Sequence, residues 1–215
     1  MARNMARAVL SREEIANALT HGLGAAASLA AGLVLVVLAS LRGDGWQLAS
    51  AIVFACALVL LYSASTAYHA SVEPAIKRRL KILDHAAIYV LIAATYTPFM
   101  LVSLRGPWGW SLFALIWALA LAGVVFKLFY TGRFERTSTL LYLGMGWIAV
   151  LAAAPMMRAL STASLIWLVA GGLAYTLGTA FYVSRRVPFA HAIWHLFVLG
   201  GSSCHYVAVY AQVAV

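Results

Sequence analysis

Acidic residues are scarce in this sequence: six Asp and Glu stand against fifteen Lys and Arg in 215 positions. Charged residues of either sign make up only 10% of the chain, and 64% of it is hydrophobic. A soluble domain is nearer one quarter charged and half apolar. The shortage of charge therefore excludes a water-soluble globular protein, because so much apolar surface cannot be hidden in one core. Cysteine is nearly absent too. Cys56 and Cys204 stand alone in apolar stretches without C-x-x-C pairing, and each is expected to behave as a small buried hydrophobe. The net charge of +9 does not imply nucleic acid as a partner, since the basic residues sit between apolar runs and do not line one soluble face. No linker, repeat or low-complexity segment is evident. No cleavable signal peptide is expected either, because Arg12, Glu13 and Glu14 precede an apolar run of full spanning length.

What is present is a series of apolar stretches of about 20 residues, the length that crosses a bilayer as a helix. They fall at about 21–41, 47–69, 82–103, 108–130, 138–157, 162–183 and 189–211. Gly43, Gly45, Pro107, Gly132 and Pro188 punctuate the boundaries. Residues 11–20 read as a short amphipathic helical entry, with Ser11 as N-cap and Glu14 three residues on. Pro98 lies inside the third stretch and should kink it. Trp46, Trp108, Trp110 and Tyr130 sit at stretch ends, as interfacial aromatics do. Small residues such as Gly171 and Gly172 suit close helix packing. The expected fold is an all-α integral membrane bundle of seven transmembrane helices, a single domain over residues 1–215, in the cell membrane.

Orientation follows from the basic residues. Arg3, Arg7, Arg12, Lys77, Arg78, Arg79, Lys81, Lys127, Arg133, Arg136, Arg185 and Arg186 fall on one side. Only Arg42, Arg105 and Arg158 fall on the other. The positive-inside rule then places the N-terminus in the cytoplasm and, with an odd number of spans, the C-terminus outside. Lys127, at the end of the fourth span, can snorkel to the cytoplasmic interface.

Ionisable residues in a spanning segment are costly and point to function. His69 ends the second span, Asp84 and His85 begin the third, His191 and His195 lie in the first turns of the seventh, and His21 begins the first. Topology puts His69, Asp84, His191 and His195 at one depth near the inner leaflet. His191 and His195 are spaced i, i+4 and share a helical face, a spacing that zinc sites use. His69, His191 and His195 are therefore candidate metal ligands, and three imidazoles around zinc leave a fourth position open for water, as in a catalytic site. Asp84 would hold or deprotonate that water, or orient a ligand; otherwise it is a helix N-terminal acid favoured by the dipole. Ser65, one turn deeper than His69, would hydrogen-bond at the site or bond back to a helix carbonyl. His205 lies roughly 15 Å deeper than His195 at 1.5 Å per residue and reads as an interhelical histidine. His85 points about 100° away from Asp84 and is a lesser candidate.

The segments Glu13–Gly24 (EEIANALTHGLG), Ser65–His69 (STAYH), Leu83–Phe99 (LDHAAIYVLIAATYTPF) and His191–His205 (HAIWHLFVLGGSSCH) resemble the hemolysin III branch of the progestin and adipoQ receptor family. The resemblance covers nearly the whole chain. It implies a seven-helix bundle with a cytoplasmic N-terminus and a zinc site. The family's S-x-x-x-H motif falls on Ser65 and His69, its aspartate on Asp84 and its H-x-x-x-H on His191 and His195. It also implies ceramidase-like hydrolysis of lipid amides, or a role in membrane lipid homeostasis. Three readings follow. One is a zinc-dependent membrane hydrolase acting on a lipid amide or ester, with Asp84 and Ser65 as its catalytic residues and a membrane lipid as its partner. The second is a lipid-binding receptor or sensor with a structural zinc. The third is a pore-forming hemolysin, which the few charged residues in mid-span disfavour. No protein partner is indicated.

Overall fold

The computed structural model describes residues 10–184 and 186–214; Arg3, Arg7 and Arg185, counted above, lie outside them. Among the described residues there is no strand. The helices run α1 (Arg12–Arg42), α2 (Gly45–Ala70), α3 (Pro74–Pro98), α4 (Pro107–Tyr130), α5 (Glu135–Trp147), α6 (Ala153–Ala159), α7 (Thr162–Tyr182) and α8 (Ala190–Val213). A π-helical turn, Phe99–Ser103, extends α3, and a 3₁₀ turn, Ile148–Ala152, joins α5 to α6. Among the described residues these make seven helices long and apolar enough to cross a membrane, and every expected span falls on one of them to within a residue. Leucines and phenylalanines such as Leu23, Leu33, Phe129 and Leu151 are exposed on the outside of the bundle, as a lipid solvent requires.

The start of α1 differs from the expected short entry segment. Ser11 does cap it, its Oγ accepting from the Glu14 backbone N–H at 3.1 Å. The helix then continues unbroken for 31 residues, about 46 Å at 1.5 Å per residue. That exceeds a hydrocarbon core of about 30 Å, so the polar first turns belong to the same rod as the apolar span. The Glu14 side chain does not close a capping box, because it turns inward onto His69 and Lys77.

Helix α3 is the central one: 72% of its most apolar stretch is buried, against 17% for α7. Pro74 starts it, and Glu73 caps it by accepting from the Ala75 and Ile76 N–H groups. Those bonds hold the Glu73 carboxyl below the usual carboxylate range. Pro98 has no N–H to offer the carbonyl one turn back. The chain responds with the π turn, in which Leu104 N bonds Phe99 O at 2.9 Å. Tyr96 explains the break between α5 and α6. Its hydroxyl donates towards the carbonyls of Met145 and Gly146 (3.1 and 2.7 Å) and accepts from Ala149 N (2.8 Å). One phenol thus occupies backbone groups that a regular helix would pair internally. Tight packing needs Gly123, where a Cβ would lie 2.4 Å from the buried Tyr89 ring.

Two expectations fail here. Lys127 does not snorkel: it is 2% exposed, and its Nζ donates to Ser138 Oγ at 2.6 Å, between the rings of Phe126 and Tyr142. A hydroxyl on the next helix and two aromatic faces replace water around the ammonium. Cys56 is exposed on the outside of α2 and Cys204 half-buried, so neither is a core residue; in a lipid-facing position an apolar thiol needs no burial.

Candidate metal centre and cavity

Two helices bring the histidines together. His69 stands in the last turn of α2, and α8 presents His191 and His195 from its first two turns. Pro188 and Phe189, the latter in the left-handed region at φ 54°, turn the chain into α8 so that this face meets α2 and α1. The ring centroids are 5.0 Å apart for His69 and His191, 5.1 Å for His69 and His195, and 4.7 Å for His191 and His195. One nitrogen from each ring lies within 4.8 Å of the other two, a group that could hold a metal ion. The three side chains that the depth argument grouped from the sequence do lie together in the structure.

The hydrogen bonds behind these rings decide which nitrogens are free. His69 Nδ1 is 2.5 Å from Glu14 Oε2 and 3.4 Å from Asn17 Nδ2. Its Nε2 is buried with no partner among the described residues. His195 Nδ1 lies 3.3 Å from the Asn17 carbonyl and 3.1 Å from Thr20 Oγ1. A carbonyl only accepts, and the Thr20 hydroxyl already donates to the carbonyls of Ala16 and Asn17. His195 Nδ1 therefore carries the proton, and its Nε2 lone pair is free. A buried, unpaired imidazole nitrogen with its opposite nitrogen held by a carboxylate or carbonyl is the pattern of a metal ligand with its outer support. The residues present fit a divalent ion such as zinc.

Asp84 and Ser65 lie outside this tripod. Both are buried and line a cavity that the His191 and His195 rings also line, and Ser65 stands beside the Asp84 carboxyl. Helix α3 starts ten residues before Asp84, which removes the alternative of a helix N-terminal acid. Ser65 Oγ bonds no helix carbonyl among the described residues, which removes the back-bonding alternative. His85 lines the same cavity with Nδ1 unpaired. His205 donates or accepts nowhere near the tripod. Its Nε2 is 3.1 Å from the Leu168 carbonyl on α7, where Gly171 makes room for the ring.

The cavity has a volume of about 450 Å³ and runs among α3, α5, α6, α7 and α8, with α1 and α2 closing it beside the histidines through His21, Leu61 and Ser65. Asp84 and His191 line one end of it, and Met100 and His205 lie further along the same helices. The separation of these residues along α3 and α8 gives a length of about 20 Å at 1.5 Å per residue. Ile88, Ile92, Phe99, Met156, Leu165 and Val198 make most of its wall apolar.

Sequence reasoning missed the contribution of α1. Glu14, Asn17 and Thr20 touch the histidines directly, and His21 stacks on His195 with centroids 3.4 Å apart. Both nitrogens of His21 are buried without partners, and its ring lines the cavity. The spacing of Glu14, Asn17 and His21, three and four residues apart on one helical face, was the available signal.

Known proteins resemble this chain along nearly its full length. Residues 10–206 match the Haemolysin-III related family. Hemolysin-3 of Bacillus cereus is 46% identical over 198 residues, which cover 92% of this chain and 90% of the relative. The Hemolysin-3 homolog of Bacillus subtilis (strain 168) is also 46% identical over 198 residues, 92% of this chain and 93% of the relative. The Monocyte to macrophage differentiation factor of Homo sapiens is 31% identical over 206 residues, 92% of this chain and 83% of the relative. Seven apolar helices and these relatives mark a multi-pass protein of the cell membrane. The chain belongs to the Haemolysin-III related family, the hemolysin III branch of the progestin and adipoQ receptor family.

Proposed function

We propose that this protein is a zinc-dependent membrane hydrolase that cleaves an amide or ester bond of a lipid, with the site at the cytoplasmic end of the bundle. The observation that carries the reading is the juxtaposition of the histidine tripod with a long apolar cavity into which Asp84 and Ser65 also face. Its length of about 20 Å exceeds the roughly 15 Å of one leaflet's hydrocarbon, so an acyl chain fits lengthwise with its polar junction at the histidines. A volume of about 450 Å³ is in the range of small-molecule sites.

His69, His191 and His195 would hold zinc, which supplies a Lewis acid for the carbonyl and lowers the pKa of water. Asp84 accepts a proton from water at the head of the cavity and returns it to the leaving group. Ser65 stands beside Asp84 with its Oγ otherwise unpartnered, and would donate to the carboxyl and fix its orientation. The apolar wall excludes bulk water from the scissile bond and aligns the acyl chain, so positioning and proton transfer both come from this chain's own residues. The name hemolysin, carried by the Bacillus relatives, is compatible with such chemistry, since hydrolysis of bilayer lipid lyses cells without a pore.

The test is metal analysis of detergent-purified protein together with mass-spectrometric assay of a panel of lipid amides and esters. The expected result is about one zinc per chain and release of a free fatty acid from at least one class. Stoichiometric zinc without turnover of any lipid would shift the reading to a lipid sensor with a structural zinc. The apolar length of the cavity favours that second reading too, since it suits a retained ligand as well as a substrate.

A further inference from the structure

The first turns of α1 carry polar side chains that the hydrolytic reading leaves unused. Glu14 has two partners. One carboxylate oxygen meets His69 Nδ1 at 2.5 Å, and the other accepts from Lys77 Nζ at 2.9 Å. Lys77 also donates to the Ser71 carbonyl at 3.2 Å, in the connection between α2 and α3. Two turns on, Thr20 and the Asn17 carbonyl receive the Nδ1 proton of His195. One helix thus backs two of the three histidines, from the side opposite their free nitrogens.

A half-exposed Glu–Lys pair alone contributes little, so α1 needs no such arrangement merely to dock. What the geometry does provide is chemical. An imidazole whose Nδ1–H is given to a carboxylate has one tautomer, one ring orientation and a more basic Nε2. Here that Nε2 is the buried, unpartnered nitrogen of His69. Lys77 fixes the carboxylate and offsets the charge that Glu14 brings to the edge of the bundle.

We propose that α1 is the positioning element of the metal centre, and that Glu14 is the carboxylate that orients His69 and strengthens it as a ligand, with Lys77 as its anchor. The proposal rests on the reading that His69, His191 and His195 hold a metal, and adds a residue from outside that set.

The test uses full-length protein in detergent, stripped of metal, with zinc affinity measured by competition against a chromogenic chelator. Glu14→Gln still offers an oxygen to the Nδ1–H but lacks the charge, and should bind zinc about 10-fold more weakly. Glu14→Ala loses both and should bind up to about 100-fold more weakly, the span seen when such outer partners are removed. Cobalt substituted into the site should show altered ligand-field absorption in Glu14→Ala at saturating metal, a change that a merely structural role would not produce. Glu13→Ala, at an exposed neighbour, should match wild type. If Glu14→Ala fails to fold, Glu14→Gln carries the test. Wild-type affinity and cobalt spectrum in Glu14→Gln, or in a folded Glu14→Ala, with zinc still bound by the unaltered chain, would overturn this proposal alone. An unaltered chain that takes up no zinc would overturn it together with the metal reading.

Discussion

In Asp84→Asn one carboxylate oxygen becomes an amide nitrogen at constant volume, inside a cavity wall where the side chain is only 8% exposed. Packing is preserved, and Ser65 beside it can donate to the remaining oxygen. The three candidate ligand nitrogens belong to His69, His191 and His195, and Asp84 is not among them. Zinc content should therefore stay near one per chain. Turnover should not survive, because an amide cannot accept a proton from water. General-base assistance is worth about 10² to 10⁴ in rate, which at about 1.4 kcal/mol per decade is roughly 3 to 5.5 kcal/mol of barrier. A purely outer-sphere role would instead weaken metal binding about 10- to 100-fold and leave the rate per bound zinc intact. The assay is zinc content and lipid hydrolysis on the same preparation, so that the two losses are separated. Full activity with full zinc in Asp84→Asn would refute the catalytic assignment and move weight to the sensor reading.

Four further outcomes are expected. His69→Ala, His191→Ala and His195→Ala should each strip zinc in metal analysis, whereas His205→Ala, whose ring bonds Leu168 on α7, should keep it. Leu165→Trp, in the cavity wall near the start of α7, should shorten the cavity, so that activity falls first on the longest acyl chains in a chain-length series. Gly123→Ala sets a methyl 2.4 Å from the buried Tyr89 ring; the overpacking cost of about 1 to 3 kcal/mol outweighs the roughly 1 kcal/mol of helix propensity gained, and thermal melting in detergent should occur a few degrees lower. Reporter fusions after residues 75 and 186 should report the cytoplasm, and fusions after residue 105 and at the C-terminus the outside; a cytoplasmic C-terminus would contradict the charge argument.

How much could be read before the structure depended on which coordinate of the bilayer a residue's role is written in. Depth is legible. Apolar runs of about 20 residues mark the spans, and span ends then place His69, His191 and His195 at one level although 122 positions separate His69 from His191. The i, i+4 spacing added a shared face within α8, and the tripod followed. Helix starts were less legible. Lys77, Arg78, Arg79 and Lys81 look like a polar loop, yet Glu73 and Pro74 had already begun α3, so Asp84 is three turns in and buried.

Azimuth is what the sequence conceals. A helix that is apolar all round gives no periodic stripe to say which side meets its neighbours. Lys127 shows the consequence: its position at the end of α4 is the same whether it reaches for water or turns inward, and only the placement of Ser138 on the following helix makes it a buried residue. The outer support of the tripod is azimuthal in the same sense. Glu14, Asn17 and Thr20 precede or border the apolar run of α1, where polar residues look like solvent-exposed entry. Their bonds to His69 and His195 span 52 to 178 positions in sequence. Those contacts exist because α1 remains one rod beyond the hydrocarbon and packs between α2 and α8 at that end. Candidate ligands can thus be found by level and spacing, but the residues that back them emerge only from the packing of whole helices, and here it is α1, whose polar start reads in sequence as an entry segment, that carries them.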